Sequence, residues 1–271
     1  MQILWLIPLG FVVGAYGTLI GAGGGFVLVP LLLLLYPHQS PETITAISLA
    51  VVFFNAFSGS AAYARMKRID YRSGLLFAAA TIPGAVLGAF STELFPRRLF
   101  DGVLGVVLVV IAFYLYVRPF GNGGKHREHK PGRTIGNLVE ADGTTHAYSF
   151  NPITGVVLSL FVGFLSSLLG IGGGIIHVPA LVQLLDFPVH IATATSHFIL
   201  AIMALAGSAV HLANGDLLSV IKPTAALAVG VVIGAQLGAR LSNRVRGVWI
   251  LRGLAIALGL VGIRVLILAF S

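Results

Sequence analysis

The chain has 271 residues, of which 57% are hydrophobic and only 10% charged, with a formal net charge of +8 and no cysteine. A soluble domain carries about 25% charged residues, so this chain cannot clothe a water-facing surface, and lipid must be the solvent for most of it. The missing cysteine excludes disulfides and thiolate metal sites. The positive residues lie in short loops beside apolar runs, a pattern of membrane orientation and not of nucleic-acid binding.

Apolar segments fall at about 3–35, 43–64, 73–92, 98–117, 153–186, 190–213, 219–241 and 247–270. The first begins without a basic stretch, so Met1–Leu9 is expected to belong to a membrane segment and not to a cleaved signal peptide. As one helix, residues 3–35 would reach about 50 Å, well beyond the ~30 Å hydrocarbon core. Glycine costs about 1 kcal/mol in a helix interior, so Gly23, Gly24 and Gly25 should interrupt it. Between the fourth and fifth segments, residues 119–152 are polar. Within them, Asp142-Gly143 lies between two partly alternating runs in Arg133–Phe150, a β-hairpin signal. His126 and His129 fall in a charged run that reads as a solvated cluster facing lipid headgroups, not a metal site.

The two halves repeat. Gly21-Ala-Gly-Gly-Gly-Phe-Val-Leu-Val-Pro30 matches Gly170-Ile-Gly-Gly-Gly-Ile-Ile-His-Val-Pro179, so Gly172, Gly173 and Gly174 correspond to the first three-glycine run. Thr45-Ala-Ile-Ser48 matches Thr193-Ala-Thr-Ser196, and Gly59-Ser-Ala61 matches Gly207-Ser-Ala209. Gly84-Ala-Val-Leu-Gly-Ala89 matches Gly234-Ala-Gln-Leu-Gly-Ala239, and both read as small-residue packing faces. The expected organisation is a membrane repeat at 1–118, a polar cytoplasmic loop at 119–152 and a second membrane repeat at 153–271. The expected fold is an all-α integral membrane protein with four segments per repeat, each repeat starting with a Gly-broken or re-entrant helix.

Charge favours inverted copies. If the first segment of each half enters and returns on one side, thirteen of the 17 lysines and arginines fall on one face and four on the other. Eight simple crossings give a weaker bias under the positive-inside rule. Both termini are then expected outside.

A broken helix leaves backbone N–H groups that lipid cannot satisfy. Half-helices beginning near Gly24 and Gly173 would each offer N–H groups and a positive dipole end, a site for a small anion made without buried lysine or arginine. Ser48, Asn55, Ser196 and His197, on the second segment of each half, are candidate donors, although such hydroxyls and amides also serve as interhelical ties. His177 and His197 are ionisable groups in apolar segments, so either is a candidate for a coupling proton. Their repeat equivalents are Leu28 and Leu49.

These features resemble the sulfite exporter TauE/SafE family: a duplicated G-x-G-G-G-x-x-x-x-P element near the start of two four-segment halves joined by a polar loop. The resemblance covers roughly residues 8–269 and implies a permease for sulfite, sulfoacetate or another sulfur-containing anion. Without it, the residues support only a small anion. An anion channel could use the same parts. An intramembrane enzyme is disfavoured, since the sequence has no H-E-x-x-H, no G-x-S-x-G, no P-loop and no intramembrane carboxylate pair. The expected partners are a small anionic substrate and membrane lipid, with a proton or sodium as coupling ion and a homo-oligomer compatible. No cofactor, metal or nucleic acid is expected, and the expected location is the inner cell membrane, multi-pass.

Overall fold

The computed structural model describes residues 4–36, 38–117, 133–242, 244–245 and 247–270. The run containing His126 and His129 lies outside the described residues.

The first long apolar segment is two helices. Helix α1 (Leu6–Ile20) stops where Gly21 takes a left-handed φ of +82°. The Gly21 N–H folds back onto the Thr18 carbonyl, and the Ala22 and Gly23 N–H groups onto that of Gly17, satisfying carbonyls that the helix end leaves open. Helix α2 (Gly25–Leu35) then doubles back: Gly24 lies against Val13, and the Phe26 ring is 6.3 Å from that of Tyr16. The second half does the same. Helix α6 (Pro152–Leu169) ends at Gly170, with φ +65°, and α7 (Gly174–Gln183) follows, with Gly173 against Val162. Pro30 and Pro179 lie inside the two return helices, where the sequence places them.

The other helices are continuous. They are α3 (Pro41–Arg65), α4 (Tyr71–Ser91), α5 (Arg97–Val117), α8 (Val189–Ala213), the short α9 (Asp216–Ser219), α10 (Ile221–Ser242) and α11 (Gly247–Phe270). Local chemistry sets their starts. Ser40 accepts the Thr43 N–H ahead of Pro41 and Glu42, and Asp70 accepts the Ser73 N–H. Among the described residues six helices are long and apolar enough to cross a membrane. Large side chains such as Phe57, Phe113 and Leu160 point outward, as a lipid-facing surface requires.

Helix α1 runs parallel to α10, and α4 parallel to α6. On α1 and α10, Gly10 meets Leu227, Gly14 meets Val231 and Gly238 meets Ala15. On α4 and α6, Gly155 meets Phe77, Gly84 meets Leu160 and Gly88 meets Phe164. Gly84, Gly88 and Gly238 belong to the small-residue faces read from the sequence, and such faces let backbones approach closely. Two other pairs run antiparallel. Helix α3 crosses α8, Gly207 meeting Leu49 and Gly59 meeting His197, and α5 lies along α11, Gly105 meeting Leu266 and Gly259 meeting Ala112.

The polar stretch forms the expected hairpin, β1 (Thr134–Val139) with β2 (Thr145–Phe150). Gly143 has φ +88° in its turn, where the Asp142 carboxylate accepts the Thr144 N–H. That bond holds the Asp142 carboxyl below its usual range.

Candidate functional site

The two helix breaks meet at the centre of the molecule. A Cβ on Gly174 would lie 2.2 Å from the Gly21 carbonyl oxygen, and one on Gly25 would lie 2.6 Å from that of Ile171. Only glycine fits at either place. Gly23 and Gly172 both pack on Val52 of α3 and Leu200 of α8. The contacts are reciprocal: Ser48 donates to the Gly170 carbonyl at 2.6 Å, and Ser196 donates to that of Gly21 at 3.3 Å. Likewise Gly170 rests on Thr45 and Gly21 on Thr193.

The first turns of α2 and α7 therefore begin beside one another. The N–H groups of Gly25, Phe26, Gly174 and Ile175 have no acceptor within their own helices. All four residues are buried. Two positive helix ends thus converge on one buried spot packed by Val52 and Leu200.

The sequence-predicted site residues are brought together, but their roles divide. The glycines form the breaks. Ser48 and Ser196 are committed to carbonyls of the breaks, so in this state they tie the scaffold instead of offering free donors. Asn55 does the same, donating through Nδ2 to the Gly23 carbonyl at 2.8 Å.

A buried hydrogen-bonded network adjoins the first break. Thr18 donates to Asn55 Oδ1 at 2.8 Å and lies 3.2 Å from His197 Nε2. A hydroxyl has one proton, and here Asn55 receives it. His197 must therefore donate to Thr18 through Nε2, which leaves Nδ1 as a bare acceptor. Nδ1 is buried and has no hydrogen-bond partner. Tyr63 completes the group: its hydroxyl donates to the Thr18 carbonyl at 2.8 Å, and its ring meets the His197 ring edge-on at 5.9 Å. Thr18, Asn55, Tyr63 and His197 are all essentially inaccessible. At the matching positions of the other half stand Ser167, Met203, His211 and Leu49. There Leu49 packs on Gly207 as His197 packs on Gly59.

Sequence reasoning missed Thr18 and Tyr63. Thr18 had a signal, a hydroxyl three residues before the break, matched by Ser167 in the second copy. Tyr63 had none, because its partner is a backbone carbonyl. His177 is separate from the network and lies 3.1 Å from Ser159. His211 is buried near the end of α8 and lies 2.9 Å from Asp216.

The profile of the family described as "Sulfite exporter TauE/SafE" matches residues 6–265. The chain is 33% identical to "Probable membrane transporter protein YunE" of Bacillus subtilis, over 97% of this chain and 96% of that one. It is 24% identical to "Probable membrane transporter protein MJ0441" of Methanocaldococcus jannaschii, over 98% and 97%. It is 26% identical to "Probable membrane transporter protein YdhB" of Bacillus subtilis, over 89% of each. No solved structure matches. A match along nearly the whole chain, on a multi-pass helical architecture with paired helix breaks, has one reading: the chain belongs to the TauE/SafE family of membrane transporters.

Proposed function

We propose that this protein is a secondary carrier of a small sulfur oxyanion, sulfite or an organosulfonate such as sulfoacetate, bound where the two helix breaks meet. The observation that carries this reading is the convergence of the α2 and α7 N-termini, each with unpaired first-turn N–H groups. Such ends favour negative charge and need no buried cation to do so. The family description supplies the sulfur chemistry. The contact of Gly25 with Ile171 and Gly174 with Gly21 leaves no gap for an anion. Transport then requires the breaks to part, which favours a carrier over an open channel.

The halves 1–118 and 153–271 are read as inverted copies. Matched helices run antiparallel, α3 with α8 and α5 with α11, as an axis in the membrane plane demands. The return of both hairpins supports the same view. The Leu33 carbonyl near the end of α2 accepts from Arg97 at the start of α5, whereas Asp186, just after α7, pairs with Arg133 beside the β-hairpin on the other face. That second face, which carries Arg65, Arg68 and Arg240, is assigned to the cytoplasm of an inner cell membrane. His197 Nδ1, a bare acceptor beside the breaks, is the candidate to carry a coupling proton.

The test is sulfite flux in proteoliposomes, with sulfoacetate and sulfate as competitors, with and without an imposed pH gradient. Saturable flux accelerated by the gradient is expected. Absence of flux for all three anions would remove the substrate assignment.

A further inference from the structure

At the arginine-rich face the structure holds a cavity of about 380 Å³, bounded by the end of α3, the end of α10 and the turn of the β-hairpin. Its basic lining is Arg65, Arg68 and Arg240. Arg68 is paired with Glu140. Among the described residues neither Arg65 nor Arg240 has a carboxylate partner. Gln236 holds this side of the cavity in order: its amide donates to the Ser58 carbonyl and hydroxyl at 2.7 and 2.9 Å, which turns Oε1 toward the Arg65 guanidinium at 3.5 Å. Arg240 stands one turn further along the same face of α10. The copy that repeats this sequence has Val86 and Phe90 at these two positions, and Ala213 answers Arg65, so the shared scaffold does not require the polar set.

On α3 the cavity lining adjoins the residues that contact His197. Ala62 lines it, and one turn earlier on α3 stands Gly59, against which the His197 ring is packed. Tyr63, the next residue after Ala62, is hydrogen-bonded to the Thr18 carbonyl and set edge-on to His197. Arginine presents a rigid fork of donors that matches oxyanions, and a concave, partly enclosed site strengthens that attraction.

Resting on the carrier reading, we propose that the Arg65–Arg240 cavity is a cytoplasmic capture site for a small oxyanion, separated from the helix breaks by Tyr63, which must swing aside to pass the anion inward. Asp142, the exposed carboxylate at the outer rim, opposes anions there and lowers the affinity.

The test is equilibrium binding of radiolabelled sulfite to the full chain in nanodiscs of zwitterionic lipid, so that no anionic headgroup competes. Arg65→Gln with Arg240→Gln should weaken binding roughly tenfold or more, since each loses a charge-assisted bond. Arg65→Lys with Arg240→Lys, which keeps the charge that orients the chain, should lose less. Asp142→Asn, an exposed change whose amide oxygen can still cap its turn, should tighten binding a few-fold. Undiminished sulfite binding in the glutamine pair, no change on Asp142→Asn, or no sulfite binding by the unaltered protein would each overturn the capture site. Flux is read separately: unaltered protein that binds sulfite but never moves it would contradict the carrier reading and leave the capture site standing.

Discussion

At the scale of single residues, the centre of the molecule is a problem in satisfying backbone groups without water. Breaking α1 frees carbonyls at Gly17, Thr18, Gly21 and Gly23, and each finds a donor: the Ala22 and Gly23 N–H groups, Tyr63, Ser196 and Asn55. Asn55→Leu would leave the Gly23 carbonyl without its donor and the Thr18 hydroxyl with His197 alone, at a cost of about 1–3 kcal/mol for a buried orphan. The expected result is a lower unfolding temperature in detergent. Gly102→Ala is the contrasting control, because a Cβ there meets nothing within 4 Å. It should be neutral or raise stability by about 0.5–1 kcal/mol through helix propensity. His197→Ala should flatten the pH dependence of transport if Nδ1 takes the coupling proton, and an unchanged profile would retire that role. The glycine breaks were legible because the same unlikely string occurs twice, each copy splitting an overlong segment. Asn55 and His197 were legible as polar groups in apolar runs. Tyr63 was not, because a tyrosine near a helix end is ordinary in sequence and only the fold delivers its hydroxyl to a carbonyl 45 residues away.

At the scale of elements, the β-hairpin behaves as a strap across the arginine-rich end of the bundle. Tyr148 donates to Asp70 at 2.7 Å, and Asp70 also caps α4 and donates its own N–H to the Thr195 hydroxyl oxygen. Glu140 joins Arg68 on one side and His146 on the other, and the Ala141 N–H donates to the Met66 carbonyl. Glu140→Ala should release the hairpin, read as faster proteolytic cleavage within residues 133–150 while the membrane helices stay intact. Burial, with the Asp70 carboxylate beside it, pushes the Tyr148 hydroxyl above its ordinary value of 10.0. A raised pKa in the folded state means that the neutral hydroxyl's contribution is fully present below pH 10.0 and is lost as pH rises beyond it. Tyr148 should therefore keep the hairpin docked across neutral pH, and protease sensitivity should rise only in strong alkali. Tyr148→Phe should abolish that alkaline step. The hairpin itself could be read from Asp142-Gly143 between alternating runs. Its docking could not, because the partners Arg68, Asp70 and Met66 lie far away in sequence.

At the scale of the whole molecule, helix contacts between the first and second parts of the chain hold the breaks together. Helix α1 packs on α10 and α6 on α4, so neither half closes its own core. The eight apolar segments were legible. What sequence left undecided was whether 3–35 and 153–186 cross or return, because length and apolarity alone fit both. The account predicts that a reporter fused after Ser271 lies outside the cytoplasm, and a cytoplasmic signal would contradict the proposed topology. The central claim, that an anion passes where the two breaks meet, is tested most directly by radiolabelled sulfite flux in proteoliposomes carrying the unaltered protein or Gly174→Leu, whose side chain must force Gly21 away. The account predicts saturable flux for the first and at least a tenfold loss for the second at equal, correctly inserted amounts. Equal flux through both would contradict it.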